Sequence, residues 1–299
     1  MGLLDIHVHE GEGIILFLDE VLLHGLIDTL KLIPFLFLTY LLMEFIEHRA
    51  GDRAERFMKR AGRFAPLVGG ALGVVPQCGF SAAASNFYAG RVISLGTLIA
   101  VFLSTSDEML PILISGDLGI WRVIYLVLYK LAVGVAVGFL VDLVLHLLRR
   151  REPEINIDNI CENDNCHCER GIIHSAIHHT VTITLFVLVI TLVINTFVYF
   201  VGTEMIAGAL DGIPVISHII SAFLGLIPNC AVSVALATFY SEGFISVGTM
   251  LAGLFSGAGV GILVLFRVNK NLKENLAVMA ILAISGTVFG LLGDLIFAF

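Results

Sequence analysis

V-P-Q-C-G-F-S-A-A-A-S-N-F-Y at residues 75–88 is answered 152 residues later by I-P-N-C-A-V-S-V-A-L-A-T-F-Y at residues 227–240. The agreement continues without a gap on both sides. Gly73, Pro76, Cys78, Ser81, Ala83, Phe87, Tyr88, Ile93, Ser94, Gly96, Thr97, Ala100 and Ser104 recur as Gly225, Pro228, Cys230, Ser233, Ala235, Phe239, Tyr240, Ile245, Ser246, Gly248, Thr249, Ala252 and Ser256. Apolar helices share a few identities by chance, but not a gapless run that keeps Pro, Cys and Phe-Tyr together, so the chain reads as an internal duplication. Each copy is centred on a proline, which removes a backbone donor and breaks a helix.

Composition says what surrounds these breaks. Of 299 residues 58% are hydrophobic and only 14% charged, and the mean hydropathy is +0.96. That is a chain for a bilayer rather than for water. Backbone groups in lipid are satisfied within helices, so the expected fold class is an all-α polytopic membrane protein. Two inverted repeats are expected, each with a Pro-broken or re-entrant helix pair, making about ten helical segments at roughly 20 residues per crossing. A formal net charge of −8 gives no basis for nucleic-acid binding. Met1 to Gly13 is acidic where a signal peptide has a basic region, so the N-terminus is expected to be retained. Five Cys, split between apolar segments and one polar loop, are not spaced as a disulfide scaffold.

The expected organisation is a tail and amphipathic helix at 1–30, a first transmembrane repeat at 31–150, a cytoplasmic Cys/His loop at 151–172 and a second repeat at 173–299. Ile14 to Leu30 places Glu20, His24 and Asp28 at steps of four on one helical stripe. Phe64 to Gly90 is Gly-rich around Pro76 and offers two segments too short to span singly. Val92 to Ile114 and Val123 to Leu147 read as continuous spans, and His174 to Val201 opens the second series.

Charge decides the orientation. With three full crossings per half, the second half is inverted, and the basic segments His48–Arg63, Arg149–Arg151 and Arg267–Lys273 all fall on one side. The turns at Gly116-Asp117 and Ser241-Glu242 fall on the other. The expected location is a prokaryotic inner (plasma) membrane, multi-pass, with both termini outside.

Three places carry candidate chemistry. The first is the pair of breaks, with Gln77, Cys78, Asn229 and Cys230. Freed carbonyls, an amide and a thiol form a mixed hard and soft ligand set suited to a transition metal. The blander alternative is that small core Cys residues accompany two kinked helices. Ser81 and Ser233 follow one turn on, where a hydroxyl either ligates or bonds within its own helix.

The second place is S-T-S-D-E-M-L-P at residues 104–111 inside an apolar segment. Adjacent carboxylates such as Asp107 and Glu108 are costly there unless they bind a cation or share a proton. Their counterparts at the repeat offset are Gly259 and Val260, so the charge breaks the symmetry. Lys130, in the next span, is the natural ion-pair partner if one carboxylate is structural. Ser104, Asn86 and Asn195 are weaker candidates, and Glu44, Asp142 and Asp294, nearer span ends, are expected to be solvated or snorkelling.

The third is the loop with Cys161, Cys166, His167 and Cys168, followed by His174, His178 and His179. Such density can capture a metal, although C-x-C and C-x4-C are not zinc-knuckle spacings, and an acidic linker is the alternative. His7 and His9 in the tail are expected to be solvated. There is no G-x-x-x-x-G-K-[ST] sequence, so transport driven through a Walker site is excluded and any pumping is secondary.

At L-K-L-I-P-F-L-F-L-T-Y-L-L-M-E-F-I-E-H, P-Q-C-G-F-S-A-A-A-S-N-F-Y-A-G, S-T-S-D-E-M-L-P-I and the second I-P-N-C, the chain resembles the family of ten-helix heavy-metal exporters, whose members carry the names manganese transporter and arsenic efflux protein. The resemblance covers nearly the whole chain. It implies export of a metal or metalloid and bears on Gln77, Cys78, Asp107, Glu108, Asn229 and Cys230. A more distant likeness is to organoarsenical permeases.

The expected activity is therefore secondary export of a divalent ion, Mn²⁺ before Zn²⁺, Fe²⁺, Co²⁺ or Cd²⁺, with proton antiport. No prosthetic cofactor and no catalysis are expected. The partners would be the metal ion, protons and the lipid bilayer, and the symmetry allows a homodimer. The alternatives are efflux of arsenite or an organoarsenical through Cys78 and Cys230, and a membrane metal sensor or intramembrane enzyme.

Overall fold

The computed structural model describes residues 23, 26–27, 29–30, 33–34, 37–38, 40–41, 64–74, 78–105, 109–115, 119–148, 172–201 and 214–297; every extended element among them is a helix. In chain order these are α1 Ala65–Gly73, α2 Cys78–Ala89, α3 Leu95–Ser104, α4 Met109–Ser115, α5 Ile120–Leu147, α6 Ile172–Val201, α7 Pro214–Gly225, α8 Cys230–Ser241, α9 Val247–Ser256, α10 Val260–Val268 and α11 Leu272–Ile296. The expected short pairs are α1 with α2 and α7 with α8. At a rise of about 1.5 Å per residue, none of the four reaches the roughly 30 Å of a hydrocarbon core. Ile120–Leu147, Ala176–Val193, Val247–Val268 and Leu272–Ile296 are long and apolar enough to cross a membrane.

One expectation is corrected. Val92 to Ile114 is not one continuous helix: α3 closes at Ser104, Thr105 leaves helical geometry with ψ 130°, and α4 starts only at Met109. The second half shows the same interruption, since α9 closes at Ser256 and Gly259 turns the chain with φ +51° before α10. Neither interruption contains a proline, which is why the sequence reads through both.

The core is built on α3 and α9. Residues 96–104 of α3 and all of α9 are buried, as befits helices that are apolar on every face. α5 lies along α3, α11 lies along α9, and α3 also touches α9. The outer faces of α5 and α11 expose Trp121, Leu140, Leu143, Ile284 and Leu295, the surface a bilayer would cover. Glycines permit the close approach. A Cβ added at Gly96 would collide with Gly138 O and the Asp142 carboxyl, and one at Gly248 with Gly290 O and the Asp294 carboxyl.

Those two aspartates correct a second expectation. They are not merely solvated at span ends; each caps the N-terminus of a core helix. Asp142 Oδ1 accepts Gly96 N–H at 2.8 Å and Oδ2 accepts Ser94 Oγ–H at 2.7 Å. Asp294 repeats both bonds, from Gly248 N–H at 2.6 Å and Ser246 Oγ–H at 2.8 Å. Ser94 and Ser246 in turn accept from Thr97 and Thr249 N–H, each at 3.1 Å. Charge-assisted bonds of this kind contribute about 1.5–3 kcal/mol each, so Asp142→Ala and Asp294→Ala should each lower stability by a few kcal/mol. Thermal unfolding in detergent checks this, and a loss is expected at both sites.

The two halves interlock by exchange. α2 packs on α10, and α8 packs on α4. At one end of the α2–α10 contact, Arg91 Nη2 pairs with Glu274 Oε2 at 2.9 Å, and Tyr88 OH donates to the same carboxylate at 3.1 Å. Asn269 and Asn271 side chains add donors to Glu274 at 3.3 and 2.9 Å. The C-terminal end of α2 is thereby tied to the first turn of α11.

Candidate metal-transport site

The interruptions of both halves converge. In the second half a Cβ on Gly257, in the α9–α10 interruption, would lie 3.5 Å from Ser233 Oγ and 3.6 Å from Gly225 O. The end of α7, the first turn of α8 and the α9–α10 interruption therefore meet. In the first half, α1 ends against α3, where a Cβ on Gly73 would lie 2.6 Å from both Ser104 Oγ and Val101 O. Between the halves, a Cβ on Gly261, at the start of α10, would lie 2.9 Å from Ser81 Cβ and from Phe102. Ser85 Oγ–H donates to Gly261 O at 2.7 Å and to Ser81 O at 3.0 Å, fixing that contact.

Interrupted helices leave orphan carbonyls at the C-terminal end of each first segment. At α9, Gly257 N–H bonds Gly253 O, whereas Ala258 N–H turns back to Ser256 O, which releases Leu254 O from the ladder. Lys130 supplies its donor: Nζ lies 2.7 Å from Leu254 O and 5.3 Å from the Phe255 ring centroid. The side chain is fully buried, and it reaches from α5 of the first half into the second. One turn further along α5, Gly134 packs against Ala100 O and Ser104 N–H, so Lys130 stands level with the α3–α4 interruption. A buried ammonium at a half-helix C-terminus is favoured by the dipole as well as by the bond.

The other expected site residues fall into three groups. Asn229 is buried in the turn before α8, its N–H bonded to Ile227 O at 2.7 Å. Ser81 is buried and Ser233 half-buried, both at the convergence just described. Ser104 uses its hydroxyl within its own helix, on Ala100 O at 2.5 Å and Val101 O at 3.2 Å; Ser256 does the same at 3.0 and 3.1 Å. Asn86 is fully buried on α2, where Oδ1 accepts Tyr40 OH at 3.0 Å and Nδ2 meets no acceptor among the described residues. Gln77, Asp107, Glu108, Cys161, Cys166, His167 and Cys168 lie outside the described residues, as do the side chains of Cys78, Cys230 and Asn195. Among the described residues no group of three or more His, Cys, Asp and Glu side chains gathers.

Sequence reasoning missed the capping aspartates and His218. A signal for the first was present, since Asp142 and Asp294 stand at the same 152-residue offset as the Pro-x-Cys copies. Residues 19–205 match the model of the family described as "Putative, 10TM heavy-metal exporter". No curated protein and no solved structure matches the chain.

Proposed function

We propose, proceeding from the chain's membership of this ten-helix heavy-metal exporter family, that it exports a divalent transition-metal ion, Mn²⁺ foremost, by secondary transport coupled to protons. The observation that carries the reading is the convergence of interrupted helices from both halves around Ser81, Ser233, Gly257 and Gly261. Interrupted helices inside a bilayer are the usual source of ion ligands, because half-helix ends present carbonyls that no ladder uses. In this reading Asp107 and Glu108, between α3 and α4 in sequence, neutralise the ion. Gln77, Cys78, Asn229 and Cys230, at the two Pro-x-Cys breaks, complete its shell. In this reading the two halves are inverted copies; the recurrence of caps and glycine contacts at one offset supports the duplication, and the positions of the basic segments support the inversion.

The carboxylates supply the coupling. A carboxylate must lose its proton to bind metal and regains it when the metal leaves, so metal outward and proton inward follow from competition for the same oxygens. The basic segments put the Arg267–Lys273 end in the cytoplasm. The loop with Cys161, Cys166, His167 and Cys168 lies on that side and serves capture.

The test is accumulation in inside-out vesicles of the full chain, screened across Mn²⁺, Zn²⁺, Cd²⁺ and arsenite. One divalent ion should accumulate, and Cys78→Ser with Cys230→Ser should weaken its uptake roughly tenfold rather than abolish it, since a hydroxyl is a poorer ligand for a borderline ion but still an oxygen donor. Arsenite accumulation lost completely in the Ser variant would instead establish the thiol-based reading.

A further inference from the structure

His218 has no counterpart at the repeat offset, where Pro66 stands, and this makes its surroundings a comparison within one molecule. Asp142 caps α3 with two bonds and no imidazole. Asp294 caps α9 with the same two bonds, and in addition His218 Nε2 stands 2.9 Å from its Oδ2. The cap therefore does not require the histidine. His218 is nevertheless 1% exposed, whereas Asp294 keeps 32% of its side chain open, so the pair is buried on the imidazole side and reachable on the carboxylate side.

We propose that His218 and Asp294 form a proton-binding site, separate from the metal-binding interruptions, that takes up the counter-ion on the outward face. This rests on the export reading above. Asp294 lies near the C-terminal end of α11, a helix of 25 residues, and Lys273 near its start. About 1.5 Å of rise per residue puts the two ends on opposite membrane faces, and the positive-inside rule makes the Asp294 end external. Protons driven inward meet this face first. A proton arriving from outside adds to a ring-nitrogen lone pair of the imidazole and turns the contact into an imidazolium–carboxylate pair of no net charge; when it leaves, neutral imidazole again faces the carboxylate. No other bond forms or breaks. Imidazole is the side chain suited to such exchange at physiological pH.

The neighbours leave the imidazole as the exchanging group. α9 and α3, which pack on α11, contribute no titratable side chain, and α10 brings only Arg267, at the other end. From α8, the Tyr240 phenol interacts electrostatically with both Asp294 and Arg122, and from α5 Tyr129 lies near Gly293 with its hydroxyl committed to Phe289 O at 2.7 Å. His218 sits two turns before Gly225, where α7 joins the convergence of interruptions. Protonating the imidazole adds its attraction to the Asp294 carboxylate and holds α7 to the α9–α11 scaffold, and α7 carries that change to the metal site.

Two measurements on the full chain decide this. Infrared difference spectra of the purified protein, stepped from about pH 8 to about pH 5 across the imidazole range, should contain paired imidazole and carboxylate bands that vanish in both His218→Gln and Asp294→Asn and persist in Asp142→Asn. Bands that survive His218→Gln overturn the proposal. In inside-out vesicles with lumenal pH varied alone, wild-type divalent uptake should change by about a decade or more per pH unit, the slope of at least one coupled proton, and His218→Gln should reduce that slope to what the metal-binding carboxylates alone contribute. An unchanged slope overturns the proposal even if metal transport is intact. Vesicles in which the wild type moves no metal would refute the export reading, and the infrared bands would still decide whether the pair binds a proton.

Discussion

Asp107→Asn combined with Glu108→Gln is expected to reduce accumulation of the transported divalent ion by at least about a hundredfold, since each lost charge-assisted contact removes about 1.5–3 kcal/mol and every 1.4 kcal/mol is tenfold in affinity. In sequence the two follow Thr105, which leaves helical geometry at the end of α3. α3 is enclosed through Ser104, Thr105 remains buried with its hydroxyl on Val101 O at 2.8 Å, and α4 resumes at Met109. The two carboxylates belong to the residues between. Lys130, bonded to Leu254 O, brings its amino group to the level of that interruption. Amides match carboxylates in size, so the double variant tests charge rather than packing. Vesicle uptake and the unfolding temperature should be measured together. Uptake lost at unchanged stability is the expected result, and wild-type uptake in the double variant would remove the carboxylates from the mechanism.

The second large effect is on folding. Gly225→Val should prevent accumulation of folded protein, because a Cβ there would overlap Gly253 O and lie 2.5 Å from Ser256 Oγ, and neither backbone nor a hydroxyl bonded to its own helix can withdraw. Overpacking of this kind typically costs about 1–3 kcal/mol where side chains can shift, and more where the obstacle is main chain. Gly73→Val, at the equivalent contact with Val101 O and Ser104 Oγ, should behave alike. Gly243 supplies the control: its φ is +80°, but nothing lies within 4 Å of an added Cβ. Arg91 occupies the equivalent turn with φ +58°, so the backbone there accepts a side chain. Gly243→Asn should cost under about 1 kcal/mol, since Asn tolerates the left-handed region. Detergent-resistant monodisperse protein, measured by size-exclusion chromatography, should be lost for Gly225→Val and Gly73→Val and retained for Gly243→Asn.

Much of the architecture was legible in the residues. Pro76 and Pro228 announce their interruptions because proline cannot continue a helix, and they place α1, α2, α7 and α8 correctly as short elements. The α3–α4 and α9–α10 interruptions were not legible. Thr105 and Ser106 are tolerated in membrane helices, and Gly257-Ala258-Gly259 is as common in a close helix contact as in a turn. Asp142 and Asp294 misled for another reason. A carboxylate near a span end is ordinarily solvated, and only the return of α5 along α3, and of α11 along α9, brings each to a helix N-terminus 46 residues away in sequence.

The sequence by itself therefore determined the membrane class, the duplication, the family and the two proline breaks, because hydropathy, proline and repeat identity act locally or by direct comparison. Tertiary structure decided what local chemistry cannot encode: that both halves bring their interruptions to one place, that Lys130 caps a helix of the other half, and that His218 faces one capping aspartate while Pro66 leaves its twin alone. Each is a contact between distant helices, set by glycine-mediated approach and by the exchange of α2 and α10 with α8 and α4.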